Sequence, residues 1–140
     1  MCTKNYKGSK MEKLEIYREL ENIISEMNYL VDGVIVEGPH DKKTLRFLGY
    51  DGPILMCSKK FTQVRLVDII VKKFSEVVVL TDFDEAGESL NKTISSKLSN
   101  RRIKVNSIYR RKIRTLLKKT RITTIEGIYR LKLELFSHKK

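Results

Sequence analysis

Val77-Val78-Val79-Leu80-Thr81-Asp82-Phe83-Asp84-Glu85-Ala86-Gly87 is an apolar run too short for a helix, and it stops abruptly at carboxylates and a glycine. A second run of the same form, Val34-Ile35-Val36-Glu37-Gly38, lies about 45 residues earlier. A strand buried on both faces has this pattern, and acids at its end mark where the chain leaves the core. Glu37, Asp82 and Asp84 then stand at the ends of two strands. If those strands are neighbours, the three acids form an oxygen-only pocket suited to a hard divalent cation.

Outward from these runs, the chain alternates strands with helices. Leu14, Ile16, Leu20, Ile23, Ile24 and Met27 recur at near-helical spacing between Met11 and Tyr29, which predicts an amphipathic helix. Asp32-Gly33 is a turn, and Gly38-Pro39 ends the first strand and opens a short helix over 40–48, closed by Gly49. Ile54 to Cys57 reads as a second short strand, Thr62 to Phe74 as a helix, and Val77 to Thr81 as the third strand. Glu85 to Leu98 reads as a helix with Asn100 as its stop, and Ile103 to Ile108 as a fourth strand nearer the sheet edge. Two basic helices follow, over about 110–118 and 124–136, the second capped by Thr124.

This alternation implies parallel pairing through right-handed crossovers. In a doubly wound sheet of order 2-1-3-4, the first and third strands are adjacent where the winding reverses, and ligands bind at the carboxyl ends of such strands. Glu37 and Asp82 would then end neighbouring strands. Asp82 and Asp84 point to one side while the backbone stays extended, and Gly38 and Gly87 keep side chains out of the turns.

The bulk numbers narrow the function classes. With 33% charged and 41% hydrophobic residues in 140, the chain is one globular domain and not a disordered segment. No apolar run approaches the roughly 20 residues of a membrane helix, which excludes a membrane partner of that kind. Residues 1–9 look like a flexible leader without a signal-peptide core, and two cysteines make neither a disulfide framework nor a metal knot; a reducing, cytoplasmic setting is expected. The net charge of +12 is localised: residues 1–100 hold 15 Lys/Arg against 15 Asp/Glu, and residues 101–140 hold 14 against 2. Apolar and aromatic residues interleave with that charge, as on a surface that draws nucleic acid by counterion release, although a solvated cationic tail has the same count.

Taken together, the strand ending in Glu37-Gly38 and, about 45 residues on, the strand ending in Asp82-Phe83-Asp84-Glu85-Ala86-Gly87 resemble a Toprim domain, the metal-binding fold of topoisomerases, bacterial-type primases, some nucleases and recombination mediators. The likeness covers about residues 31–108, and its short form is similar to small archaeal Toprim proteins and to the ribonuclease that matures 5S ribosomal RNA. It implies a Rossmann-like α/β fold with a four-stranded, mainly parallel sheet and helices on both faces. An N-terminal leader and helix (1–30) and a basic helical extension (109–140) flank it. It also implies magnesium, with manganese as the alternative, held by Asp82 and Asp84 with a share from Glu37, and Glu37 as general acid or base. The plainer alternatives are that Glu37 pairs with a lysine such as Lys42 and that Asp84 only caps the following helix.

The remaining candidates lie around that rim. Lys59 and Lys60 follow the second strand and could meet phosphate, and Arg110, Arg111, Arg114 and Lys118 belong to the densest basic stretch. Arg110, Arg114 and Lys118 share one helical face, expected to grip a nucleic-acid backbone. Asp41 and Glu88 are either supporting residues of the pocket or ordinary surface acids. Cys57, with no base near it in sequence, is not expected to be a nucleophile. The expected activity is metal-dependent phosphodiester chemistry, most simply a nuclease in RNA processing, acting on RNA or DNA. The alternative is a non-catalytic module that binds nucleic acid or recruits partners in repair and recombination; primase-like nucleotidyl transfer needs more chain than this. The amphipathic N-terminal helix offers a surface for a homodimer.

Overall fold

The computed structural model describes residues 10–57 and 62–136. Its elements are α1 (Lys10–Leu30), β1 (Gly33–Val36), α2 (Pro39–Leu48), β2 (Ile54–Met56), α3 (Gln63–Lys73), β3 (Glu76–Val79), α4 (Glu85–Asn100), β4 (Lys104–Val105), α5 (Ser107–Lys118) and α6 (Ile125–Phe136). The strands form one sheet of order β2-β1-β3-β4 with every pair parallel. The expected 2-1-3-4 order is therefore present, and β1 lies beside β3 in a register that pairs Ile35 with Val79.

Strand alternation divides the core into two layers. Val34 and Val36 of β1, with Val78 and Leu80 of the β3 segment, face α1, α2, α5 and α6. Ile35, Val77 and Val79 face α3 and α4. The two basic C-terminal helices thus pack into the main core through Tyr109, Ile113, Leu117, Ile125, Ile128, Leu131 and Leu135. Their charge is carried on faces that a hydrophobic stripe leaves outward.

Several boundaries differ from the sequence reading. The fourth strand is two residues long instead of six, because Asn106 caps α5: its Oδ1 accepts from the amides of Ile108 at 3.0 Å and Tyr109 at 3.3 Å. Ile103 and Val105 match strand alternation, but Ile108 falls out of phase with it and the local Asn cap wins. α4 ends at Asn100, where a stop was expected, and the chain turns at Arg101 and Arg102, the latter at φ 69°. Thr124 caps as expected, accepting from Gly127 N at 3.0 Å, and Thr62 caps α3, accepting from Arg65 N at 3.1 Å. Gly49 ends α2 at φ 104°, a left-handed conformation that favours glycine. Among the described residues no helix is long and apolar enough to cross a membrane.

Candidate metal centre at the carboxyl ends of two strands

Parallel neighbours lie about 4.8 Å apart, so residues just past the ends of β1 and β3 must meet. They do: Glu37 Oε2 accepts a hydrogen bond from the backbone amide of Asp82 at 2.9 Å. Asp84 caps α4 through Oδ1, which accepts from Gly87 N at 2.8 Å. Asp82 Oδ1 accepts from Ile125 N, the first amide of α6, at 2.9 Å. Glu37, Asp82 and Asp84 are partly to fully exposed at one end of the sheet.

Each of the three acids thus spends one oxygen on a backbone amide. Among the described residues, no three His, Cys, Asp or Glu side chains already close around a common point. The donor chemistry nevertheless fits a hard divalent cation: every candidate ligand is a carboxylate oxygen, and such an ion commonly takes one or two carboxylates and completes its shell with water and phosphate.

A fourth acid lies nearby. Asp41, in the first turn of α2, is 8% exposed and accepts from Gly38 N through Oδ2 at 3.3 Å. Burial, and next the charge of Asp82, push its carboxyl up to about 6. Asp82 is also raised, by burial first and by Asp84, against the lowering pull of the Ile125 amide and Arg110. Burial is the larger cause at both residues, and a neighbouring carboxylate adds to it at each. The sequence signal for Asp41 was an acid three positions past Gly38, where a helix start welcomes one.

These raised values fix a pH dependence. A raised carboxyl means that the folded chain holds a proton the unfolded chain has released, so the stability it contributes is full below about 4 and is lost as pH rises through about 6. Unfolding free energy of the metal-free protein, wild type minus Asp41→Asn, should fall between pH 4 and pH 7 in urea titrations; a difference that rises across that window contradicts the assignment.

Arg110 corrects the sequence reading. It was expected to face nucleic acid, yet it is 3% exposed. Its Nη1 donates to the carbonyls of Val79 at 3.1 Å and Thr81 at 2.9 Å, and its Nη2 to the carbonyl of Asp82 and to Glu88 Oε1, both at 3.1 Å. The guanidinium also lies 4.6 Å from the centroid of the Phe83 ring. The cause is the short β4: past Val77 it leaves that edge of β3 without a strand partner, and Arg110 supplies the donors. Glu88 is shared with Arg114, whose Nε lies 3.3 Å from Oε2 and whose side chain is 41% exposed. Arg111 is exposed on the α1 side of α5, lining a groove with Glu19, Ile23 and Ile108, and Lys118 is exposed. Lys59 and Lys60 lie outside the described residues.

The loop between α5 and α6 was not anticipated as part of the site. Besides the Ile125 amide on Asp82, the Thr123 carbonyl accepts from Phe83 N at 2.6 Å. That loop and α6 line a cleft of about 320 Å³ that includes Lys13, Arg121, Thr123 and Arg130. Cys57 is half-buried, and burial pushes its thiol up to about 11.

A family profile of the Toprim domain matches residues 33–116. The chain is 35% identical over 121 residues to a UPF0292 protein of Pyrococcus abyssi, covering 86% of this chain and 89% of that one. It is 32% identical over 123 residues to a UPF0292 protein of Thermococcus onnurineus, covering 88% and 90%. A solved structure of a protein from Aquifex aeolicus superposes with a TM-score of 0.65 at 25% identity, covering 79% of this chain and 95% of that chain. Membership in this family supports a metal-dependent role associated with nucleic acid. With its acids on adjacent strand ends and the profile spanning both, the chain belongs to the Toprim domain family.

Proposed function

We propose that this protein is a magnesium-dependent nuclease acting on nucleic-acid phosphodiesters, with RNA processing as the preferred setting. The observation that carries the reading is the 2.9 Å bond between Glu37 and the Asp82 amide, which brings the ends of the two acid-bearing segments together. Magnesium, or manganese in its stead, held by Asp82 and Asp84 with a share from Glu37, would neutralise the phosphate and the departing oxygen. Glu37 has one oxygen anchored to the Asp82 amide and uses its carboxylate to move the proton. Arg114, steered by Glu88 one turn past Asp84, meets the backbone phosphates, and Lys118 and Arg111 extend the basic surface.

The test is incubation with a panel of single- and double-stranded RNA and DNA, with magnesium or manganese, comparing wild type with Asp82→Asn. Cleavage confined to wild type supports the reading, and equal cleavage by both overturns it. A second reading is favoured by the acids each being turned onto a backbone amide. In that reading the domain binds nucleic acid or recruits partners without cutting. Tight, salt-sensitive binding without cleavage on any member of the panel would select it.

Both readings share one expectation. Arg114→Ala and Lys118→Ala should each weaken polynucleotide binding and reduce the slope of log K against log salt by about one. Fluorescence anisotropy at several salt concentrations measures this, and an unchanged slope in both variants removes α5 from the interface.

A further inference from the structure

The turn that carries the metal-binding acids is fastened from every side. Asp82 is held at its amide by Glu37, at its carbonyl by Arg110 and at Oδ1 by Ile125. Phe83 is held at its amide by Thr123 and covered on its ring by Arg110. Among the described residues, only Arg110 touches three carbonyls of the segment, those of Val79, Thr81 and Asp82. A guanidinium is suited to this: its donors lie in one rigid plane and fix several acceptors relative to one another, which a lysine ammonium cannot do.

Stability alone does not account for this arrangement. Burying a guanidinium carries a large desolvation cost, and a buried ion pair is weak evidence for net stabilisation. Arg110 Nε is buried without a hydrogen-bond partner among the described residues, so part of that cost is left uncompensated. What the side chain provides is direction. It replaces the missing strand partner at the edge of β3 and fixes the backbone from which the Asp82 side chain projects.

We propose that Arg110 is a positioning residue for the metal centre: it fixes the Val79, Thr81 and Asp82 carbonyls, and so the aim of the Asp82 carboxylate, while Glu88 orients its guanidinium. The proposal rests on the reading of Glu37, Asp82 and Asp84 as a cation site. Groups that orient metal ligands typically change metal affinity 10- to 100-fold when removed.

The test uses the full chain and manganese as the probe, with affinity read by electron paramagnetic resonance, melting temperature by circular dichroism, and amide exchange by nuclear magnetic resonance. Arg110→Lys keeps the charge and loses the fork; it should bind manganese about 10- to 100-fold more weakly, with faster exchange at the Phe83 and Ile125 amides. Glu88→Gln, at a half-exposed position, should move affinity in the same direction by less, and it carries the test if Arg110→Lys does not fold. Ile70→Val, in the opposite core layer, is the control for lost stability and should lower the melting temperature with manganese affinity unchanged. Wild-type affinity in a folded Arg110→Lys, in Glu88→Gln if Arg110→Lys does not fold, or an equal loss in Ile70→Val, overturns the positioning role alone. Absence of manganese uptake by wild type overturns the cation site itself, and the positioning role with it.

Discussion

Glu37→Gln is expected to lower magnesium-dependent cleavage about 100- to 10,000-fold, the range associated with a lost general acid or base. The substitution is nearly isosteric. Glutamine retains a carbonyl oxygen to accept from the Asp82 amide, so the 2.9 Å bond that joins the two strand ends can persist. Polynucleotide affinity and melting temperature should therefore stay close to wild type, since Glu37 lies in neither core layer. What disappears is the ability to exchange a proton. Gel-based cleavage of a labelled strand, run beside a binding isotherm on the same strand, separates the two quantities. Cleavage within a few fold of wild type would take Glu37 out of the chemistry.

Gly87→Ala has the largest expected effect on folding. A Cβ at this position would stand 2.1 Å from the Asp82 carbonyl oxygen and 2.5 Å from its carbon. That backbone cannot retreat cheaply, because Glu37 and Arg110 hold its amide and its carbonyl. The Gly87 carbonyl is fixed as well, accepting from Thr81 Oγ1 at 2.7 Å. The clash therefore falls on backbone, and a loss of about 3 kcal/mol, the upper end of ordinary overpacking, is expected. Gly38→Ala is the contrast. Its added Cβ meets nothing within 4 Å and its φ of −157° is ordinary extended backbone, so the cost should stay within about 1 kcal/mol. Chemical denaturation of both variants decides the matter, and equal losses would contradict the account.

That contrast also shows what the sequence could and could not convey. Both glycines follow acids at strand ends, and spacing alone gives them the same role. Only the helix entry at Asp84, which folds α4 back onto the Asp82 carbonyl, makes one of them indispensable. The strand order and the meeting of Glu37 with Asp82 were legible because parallel topology is strongly constrained once two buried strands and their crossovers are recognised. The length of β4 was not, because one Asn cap ended the alternation begun by Ile103 and Val105.

Arg110 was misjudged for a related reason. Helical spacing places it on a face with Arg114 and Lys118, but spacing does not say whether that face looks outward. The apolar stripe does not separate Arg110 from Arg114: Arg110 follows buried Tyr109 and Arg114 follows buried Ile113, each three residues before the next buried apolar residue, yet only Arg110 is buried. What separates the two is the open edge of β3, whose Val79 and Thr81 carbonyls Arg110 reaches. The contributions of Thr123 and Ile125 had no signal either, since they act through backbone atoms and lie beyond the 33–116 span of the family profile.

Calorimetric titration with magnesium and with manganese, in the presence and absence of polynucleotide, tests the cation site most directly. Wild type should take up the ion, and Asp82→Asn and Asp84→Asn should each lose most of that uptake while remaining folded. Undiminished uptake in both variants, or none by wild type under either condition, would contradict a shared cation site at the ends of β1 and β3.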